Sequence, residues 1–153
     1  MILRCWMLLL LLGATAVQAA AVAEKVFADY AEALLQIKVL DKNSGAKSAI
    51  GSGFLLADPQ LIVTNYHVVS EAVLFPDKYQ LEFLNKDQAS GQLQIVAVDV
   101  VNDLALLASD YQAAQPFHIQ AQAPVQGAAV YSLGNPHDLG LIVVPGTYNG
   151  LQK

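Results

Sequence analysis

Cysteine is almost absent: Cys5 is the only one among 153 residues. A disulfide framework, a cysteine-based metal site and thiolate catalysis are excluded for the rest of the chain. Charge of one sign is equally sparse. Eight basic and 13 acidic residues give a formal net charge of −5, with no run of like charges. That balance disfavours nucleic acid and anionic membrane as partners. No glycine-rich phosphate loop follows any predicted strand, and three scattered histidines have no metal-ligand spacing. Neither a metal nor a cofactor is therefore expected. Internal repeats and low-complexity linkers are missing too.

What is present begins with a targeting segment. Arg4 supplies a positive start, Trp6 to Leu12 is an unbroken apolar run, and Gly13 to Ala19 turns small. Val17-Gln18-Ala19 fits a small-x-small cleavage site, with Ala21-Val22-Ala23 as a second option. This is the layout of a secretory signal peptide over residues 1–19. The apolar run is shorter than the roughly 20 residues a membrane span needs, so cleavage rather than stable insertion is expected. Export would remove Cys5 and place the product in the periplasm or outside the cell.

The remainder suits one domain, or one complete subdomain and part of another. Ala20 to Ala33 reads as a short helix, with Val26, Tyr30 and Ala33 at helical spacing. Leu35 to Leu40 alternates as a strand, and Asp41 to Ala46 is a loop dense in turn formers. Two apolar runs, Phe54-Leu55-Leu56 and Leu61-Ile62-Val63, flank Asp58-Pro59. Such runs pair as a hairpin, and Pro59, which cannot donate to a ladder, belongs in its turn. The two strands are placed at about Ile50 to Leu56 and Leu61 to Thr64, and Val68 to Ala72 reads as one helical turn. Further strands are expected at Gln80 to Leu84, Gly91 to Val98, Leu104 to Ala108 and Ala128 to Leu133, with another starting at Ile142 to Val144. Many short strands with turn signals between them describe an all-β antiparallel barrel or sandwich.

Two side chains could carry chemistry. His67 stands just past a buried strand, where the backbone is fixed and the ring is free to face a cleft. Asp103 opens the wholly apolar strand Leu104 to Ala108, so its carboxylate is expected at the edge of the core, partly desolvated. Asp99 is a rival, placed instead in a solvent-facing turn. If barrel closure brings residues 67 and 103 to one rim, they form the base half of a nucleophilic hydrolase. The carboxylate fixes the imidazole tautomer, and the imidazole takes a proton from a hydroxyl.

Three strings, GSGFLLADPQLIVTNYHVV from Gly51, DVVNDLALLA from Asp99 and GAAVYSLGNPHDLGLIVVPGTYNG from Gly127, resemble the trypsin-like serine peptidases, most closely the HtrA-like (Deg) branch. The resemblance implies that His67 is the general base and Asp103 the orienting acid. It also implies two six-stranded antiparallel barrels with the active site between them, polypeptide substrates, and a homo-oligomer as an open option. On this reading residues 20–34 are an N-terminal helical segment, 35–124 a first barrel and 125–153 the start of a second. Gly134-Asn135-Pro136 would be a turn of that second barrel.

The family's nucleophile sits in a G-N-S-G-G-P segment, and these 153 residues contain none. Of the serines at 44, 48, 52, 70, 90, 109 and 132, only Ser52 has a glycine on each side, and it matches a first-barrel strand of the family instead. Loss of the nucleophile alone costs roughly 10⁶ in turnover. The sequence is therefore expected to be a fragment of a longer, exported serine endopeptidase and to be inactive alone. The rival expectation is a catalytically inactive barrel that serves as a protein-binding module. His118 is read as a surface residue, His137 as lining the cleft at most, and Tyr66 as packing against the barrel rim.

Overall fold

The computed structural model describes residues 21–57, 59–134 and 142–150. The signal-peptide and cleavage-site expectations for residues 1–19, and those for Asp58, Asn135, Pro136 and His137, lie outside the described residues.

Residues 21–30 form a helix (α1), which tightens into a 3₁₀ turn over Ala31–Ala33 and leads into β1, Leu34–Asp41. Five more strands complete the barrel: β2, Lys47–Leu55; β3, Ile62–Thr64; β4, Tyr79–Leu84; β5, Ser90–Asp99; and β6, Leu104–Ala108. They close in the order β1-β2-β3-β6-β5-β4, every neighbour antiparallel. Closure leaves the barrel without a free edge. A separate two-stranded antiparallel sheet pairs β7, Ala129–Gly134, with β8, Ile142–Thr147. The architecture is all-β.

Period-two alternation explains the core. Leu35, Ile37 and Val39 of β1 point inward, as do Leu81 and Phe83 of β4 and Ala105 and Leu107 of β6. A second helix, α2, Tyr66–Leu74, covers the barrel with Val68, Val69 and Ala72, a helical spacing of apolar residues. This corrects the expectation of a single turn over Val68 to Ala72. The helix runs for nine residues and begins early enough to include His67. β2 also starts three residues before the expected Ile50, because pairing with β1 extends the ladder to Leu40 opposite Lys47. The hairpin forms as read, with Phe54 opposite Val63 and Leu55 opposite Ile62, and Pro59 lies in its turn.

The glycines of Gly51-Ser52-Gly53 are there for close packing. A Cβ at Gly51 would stand 2.5 Å from a methyl of Val68, and one at Gly53 would stand 3.0 Å from Ile62 and from the Val63 carbonyl. Gly51 is thus the notch in β2 that seats α2. The substitution Gly51→Ala is expected to destabilise the fold by about 1–3 kcal/mol, as overpacking generally does. Adding Val68→Ala should recover part of that loss. Urea unfolding of the two single variants and the double variant measures the coupling, which is absent if the notch is not what seats the helix.

Candidate active site

Strand register brings the candidate residues together. β3 and β6 are antiparallel neighbours, with Thr64 opposite Ala105. The end of β3 and the start of β6 therefore share one rim of the barrel. The Thr64 hydroxyl pins that rim by donating to the Ser52 carbonyl at 2.7 Å. From there the chain passes through Asn65 into the first turn of α2, while Asp103 stands immediately before β6.

Asp103 and His67 meet through two hydrogen bonds. Asp103 Oδ2 lies 2.7 Å from His67 Nδ1, and Asp103 Oδ1 accepts the His67 backbone N–H at 2.9 Å. The first bond fixes the imidazole: an ionised carboxylate can only accept, so Nδ1 carries the proton and, in the neutral ring, Nε2 keeps its lone pair. The second bond satisfies one of the donors that every helix start leaves without an intrahelical partner. Asp103 thus closes the amino end of α2 and orients the ring at once, and its negative charge suits the positive pole of the helix.

Asn65 completes the arrangement. It occupies the N-cap position of α2 but makes no side-chain capping bond. Its amide instead donates to the Asp103 carbonyl at 3.0 Å and to Asp103 Oδ2 at 3.3 Å. The Tyr66 N–H donates to the same carbonyl at 3.2 Å. These bonds hold Asp103 in a left-handed backbone conformation, φ 55°. The Asp103 carboxyl itself is held below the usual carboxylate range. The His67 backbone N–H is the largest cause, the His67 ring bond follows, desolvation opposes them, and the Asn65 amide adds a lesser lowering.

One expectation needs correction. The Asp103 carboxylate was expected at the edge of the core, yet its side chain is 44% exposed and that of His67 is 69% exposed. Hydrogen bonds, and not burial, keep this carboxylate ionised. The rival Asp99 faces solvent as expected but is the last residue of β5, paired with Leu104, and not part of the turn itself; from there it accepts the Asn102 backbone N–H at 3.0 Å and the Asn102 amide at 2.7 Å. That turn delivers Asp103 to the rim. Tyr66 is half-buried, and His118 is exposed in the connector after β6. Ser52 contributes its carbonyl to the Thr64 bond, and the Ser70 hydroxyl donates to the His67 carbonyl at 3.1 Å within α2.

Asn65 is the member of the site that sequence reasoning passed over. The available signal was an amide side chain at a strand-to-helix junction, a preferred N-cap type, two residues before the histidine. Beside it a crevice of about 240 Å³ runs from Asn65 past Phe54 and Leu104 to Leu133 of β7. The larger cavity, about 620 Å³ around Phe83, Gly91 and Tyr111, lies elsewhere and is lined by neither His67 nor Asp103. Among the described residues, no group of three or more His, Cys, Asp or Glu side chains gathers to hold a metal ion, and no helix is long and apolar enough to cross a membrane.

The chain is similar to known proteins in sequence and, for solved structures, in fold. Serine protease HTRA1 of Xenopus laevis is 29% identical over 108 residues, which cover 69% of this chain and 22% of that protein. The "Probable periplasmic serine endoprotease DegP-like" of Rickettsia conorii is 34% identical over 100 residues, 63% of this chain and 18% of its own. The chain thus spans about a fifth of the length of these curated relatives. Among solved structures, the serine endoprotease from Yersinia pestis matches with a TM-score of 0.67 at 26% identity, over 84% of this chain and 44% of its own. Deg5 matches with a TM-score of 0.66 over 84% of this chain and 63% of its own, and at 21% identity it bears on the fold alone. The family described as "Trypsin-like peptidase domain" matches residues 51–153, a stretch that holds both His67 and Asp103 and, of the closed barrel, everything but β1 and the first four residues of β2. By that match, this chain belongs to the trypsin-like peptidase domain family.

Proposed function

We propose that the chain carries the general base and the orienting acid of a serine endopeptidase, with His67 and Asp103 in those roles. The observation that supports this reading is the 2.7 Å contact between His67 Nδ1 and Asp103 Oδ2. With Nδ1 committed to the carboxylate, Nε2 takes the proton of an attacking hydroxyl and later returns it to the leaving amine. Asp103 stays ionised and stabilises the imidazolium between those two steps. The nucleophile and the oxyanion donors would come from sequence outside these 153 residues, which hold no G-x-S-G-G segment.

The substrates on this reading are polypeptides, and the site of action is the periplasm or the cell exterior. The leader-like residues 1–19 and the relative named as periplasmic support that location. Residues 35–124 would form the first barrel unit, and 125–153 the beginning of the second.

Fluorophosphonate labelling of the full-length gene product tests the assignment. His67→Ala should abolish labelling, and Asp103→Asn should lower turnover by on the order of 10³ to 10⁴. Undiminished labelling of His67→Ala would clear His67 of the role.

The lowered Asp103 pKa also carries a stability consequence. A carboxyl depressed in the folded state stabilises the fold above its unfolded value of about 3.9, and that contribution disappears as pH falls through the native value. Wild type should therefore exceed Asp103→Asn in urea midpoint at neutral pH, and the gap should close below about pH 4. Asp41 and Asp99, also lowered by local hydrogen bonds, are common to both proteins and cancel in the comparison. A gap that persists unchanged in acid would show that the ionised carboxylate is not its source.

A further inference from the structure

We infer that Asn65 is a positioning residue for the His67–Asp103 pair, acting through the two hydrogen bonds that its amide donates to Asp103. The inference rests on the catalytic reading of that pair. Three observations carry it. Asn65 sits where a helix cap belongs, yet its side chain makes no cap bond to α2. Both of its contacts, at 3.0 and 3.3 Å, fall on Asp103, 38 residues away in sequence. Both contacted atoms are pure acceptors, a carbonyl and a carboxylate oxygen, so the amide nitrogen and not its oxygen must face them.

The two bonds have different effects. The shorter one, to the carbonyl, helps to hold a backbone conformation that most side chains disfavour, φ 55° at Asp103. The longer one goes to Oδ2, the same oxygen that accepts from the imidazole. It fixes the carboxylate plane and spreads the charge on that oxygen over two donors. With Asn65 gone, the carboxylate could rotate about its stem while still capping α2 through Oδ1. The ring would then lose its aim without the helix losing its start.

A capping role and a positioning role respond differently to substitution. Aspartate and serine are both good N-caps, so Asn65→Asp and Asn65→Ser preserve or improve a structural role. Neither preserves the amide donor. Asp places a second carboxylate against Asp103, and the Ser hydroxyl is too short to reach it. In the full-length protein both variants are expected to lose kcat by on the order of 10- to 100-fold, with KM little changed. The hydrogen-bonded ring proton of His67 gives a far-downfield proton resonance. In Asn65→Ser that resonance should shift, whereas a change in folded fraction alone would alter only its intensity. Near-wild-type kcat in Asn65→Asp, or an unmoved resonance in Asn65→Ser, overturns the inference. Should Asn65→Asp fail to fold, kcat and the resonance of Asn65→Ser decide it. His67→Ala measured in parallel separates the two levels. If it is inert while the Asn65 variants are normal, only the role of Asn65 falls. If it is active, the catalytic reading falls and this inference with it.

Discussion

The carboxylate of Asp103 is the junction on which the site depends. It meets the backbone of α2 through Oδ1 and the imidazole through Oδ2, and its own main chain leads straight into β6. Helix start, ring orientation and barrel strand are thereby tied to one residue. The tie requires that β3 and β6 be neighbours in the register that sets Thr64 opposite Ala105. A slip of one residue in that ladder would turn the buried Ile62, Thr64, Ala105 and Leu107 out of the core and carry Asp103 away from α2. Core packing thus protects the geometry of two side chains that are themselves exposed.

That exposure has a consequence for the electrostatics. A carboxylate kept ionised by burial beside a single cation pays a desolvation penalty. Here desolvation opposes ionisation and is outweighed by donors fixed in the fold, first the helix-start N–H and then the ring N–H, with the Asn65 amide adding less. In the proposed role of His67, such donors are already oriented before any proton moves, so little reorganisation would accompany formation of the imidazolium. The open rim is compatible with the proposed chemistry because direction comes from hydrogen bonds fixed by the fold.

Much of this was legible in the sequence, for identifiable reasons. Leu104–Ala108 is an apolar run bounded by polar residues, and its limits could be read to the residue. β1 shows itself by alternation, and Pro59 marks the hairpin turn because it cannot sit in a ladder. The start of α2 was less visible: Val68 and Val69 are β-branched and weaken the helical signal, so packing against the barrel decides the boundary. β2 was read short because Lys47-Ser48-Ala49 has little strand character of its own and is recruited by pairing with β1. His67 and Asp103 stood out through their neighbours. Asn65 did not, because its side chain answers to a residue 38 positions on, and no local pattern encodes that.

The same reasoning explains why position 103 has so little freedom. A backbone φ of 55° narrows the choice to glycine, asparagine or aspartate, the residues that enter the left-handed region at low cost. Glycine would relieve the backbone but leave the start of α2 and the imidazole without an acceptor. Asparagine would keep one acceptor oxygen and set an amide N–H₂ against a donor, either the His67 N–H or the ring. Only aspartate presents two acceptor oxygens to two donors on different parts of the same residue, one of which, Oδ2, also accepts from Asn65. The turn closed by Asp99 and Asn102 therefore does more than connect β5 to β6. It delivers the one side chain that satisfies both the backbone it sits on and the histidine it faces.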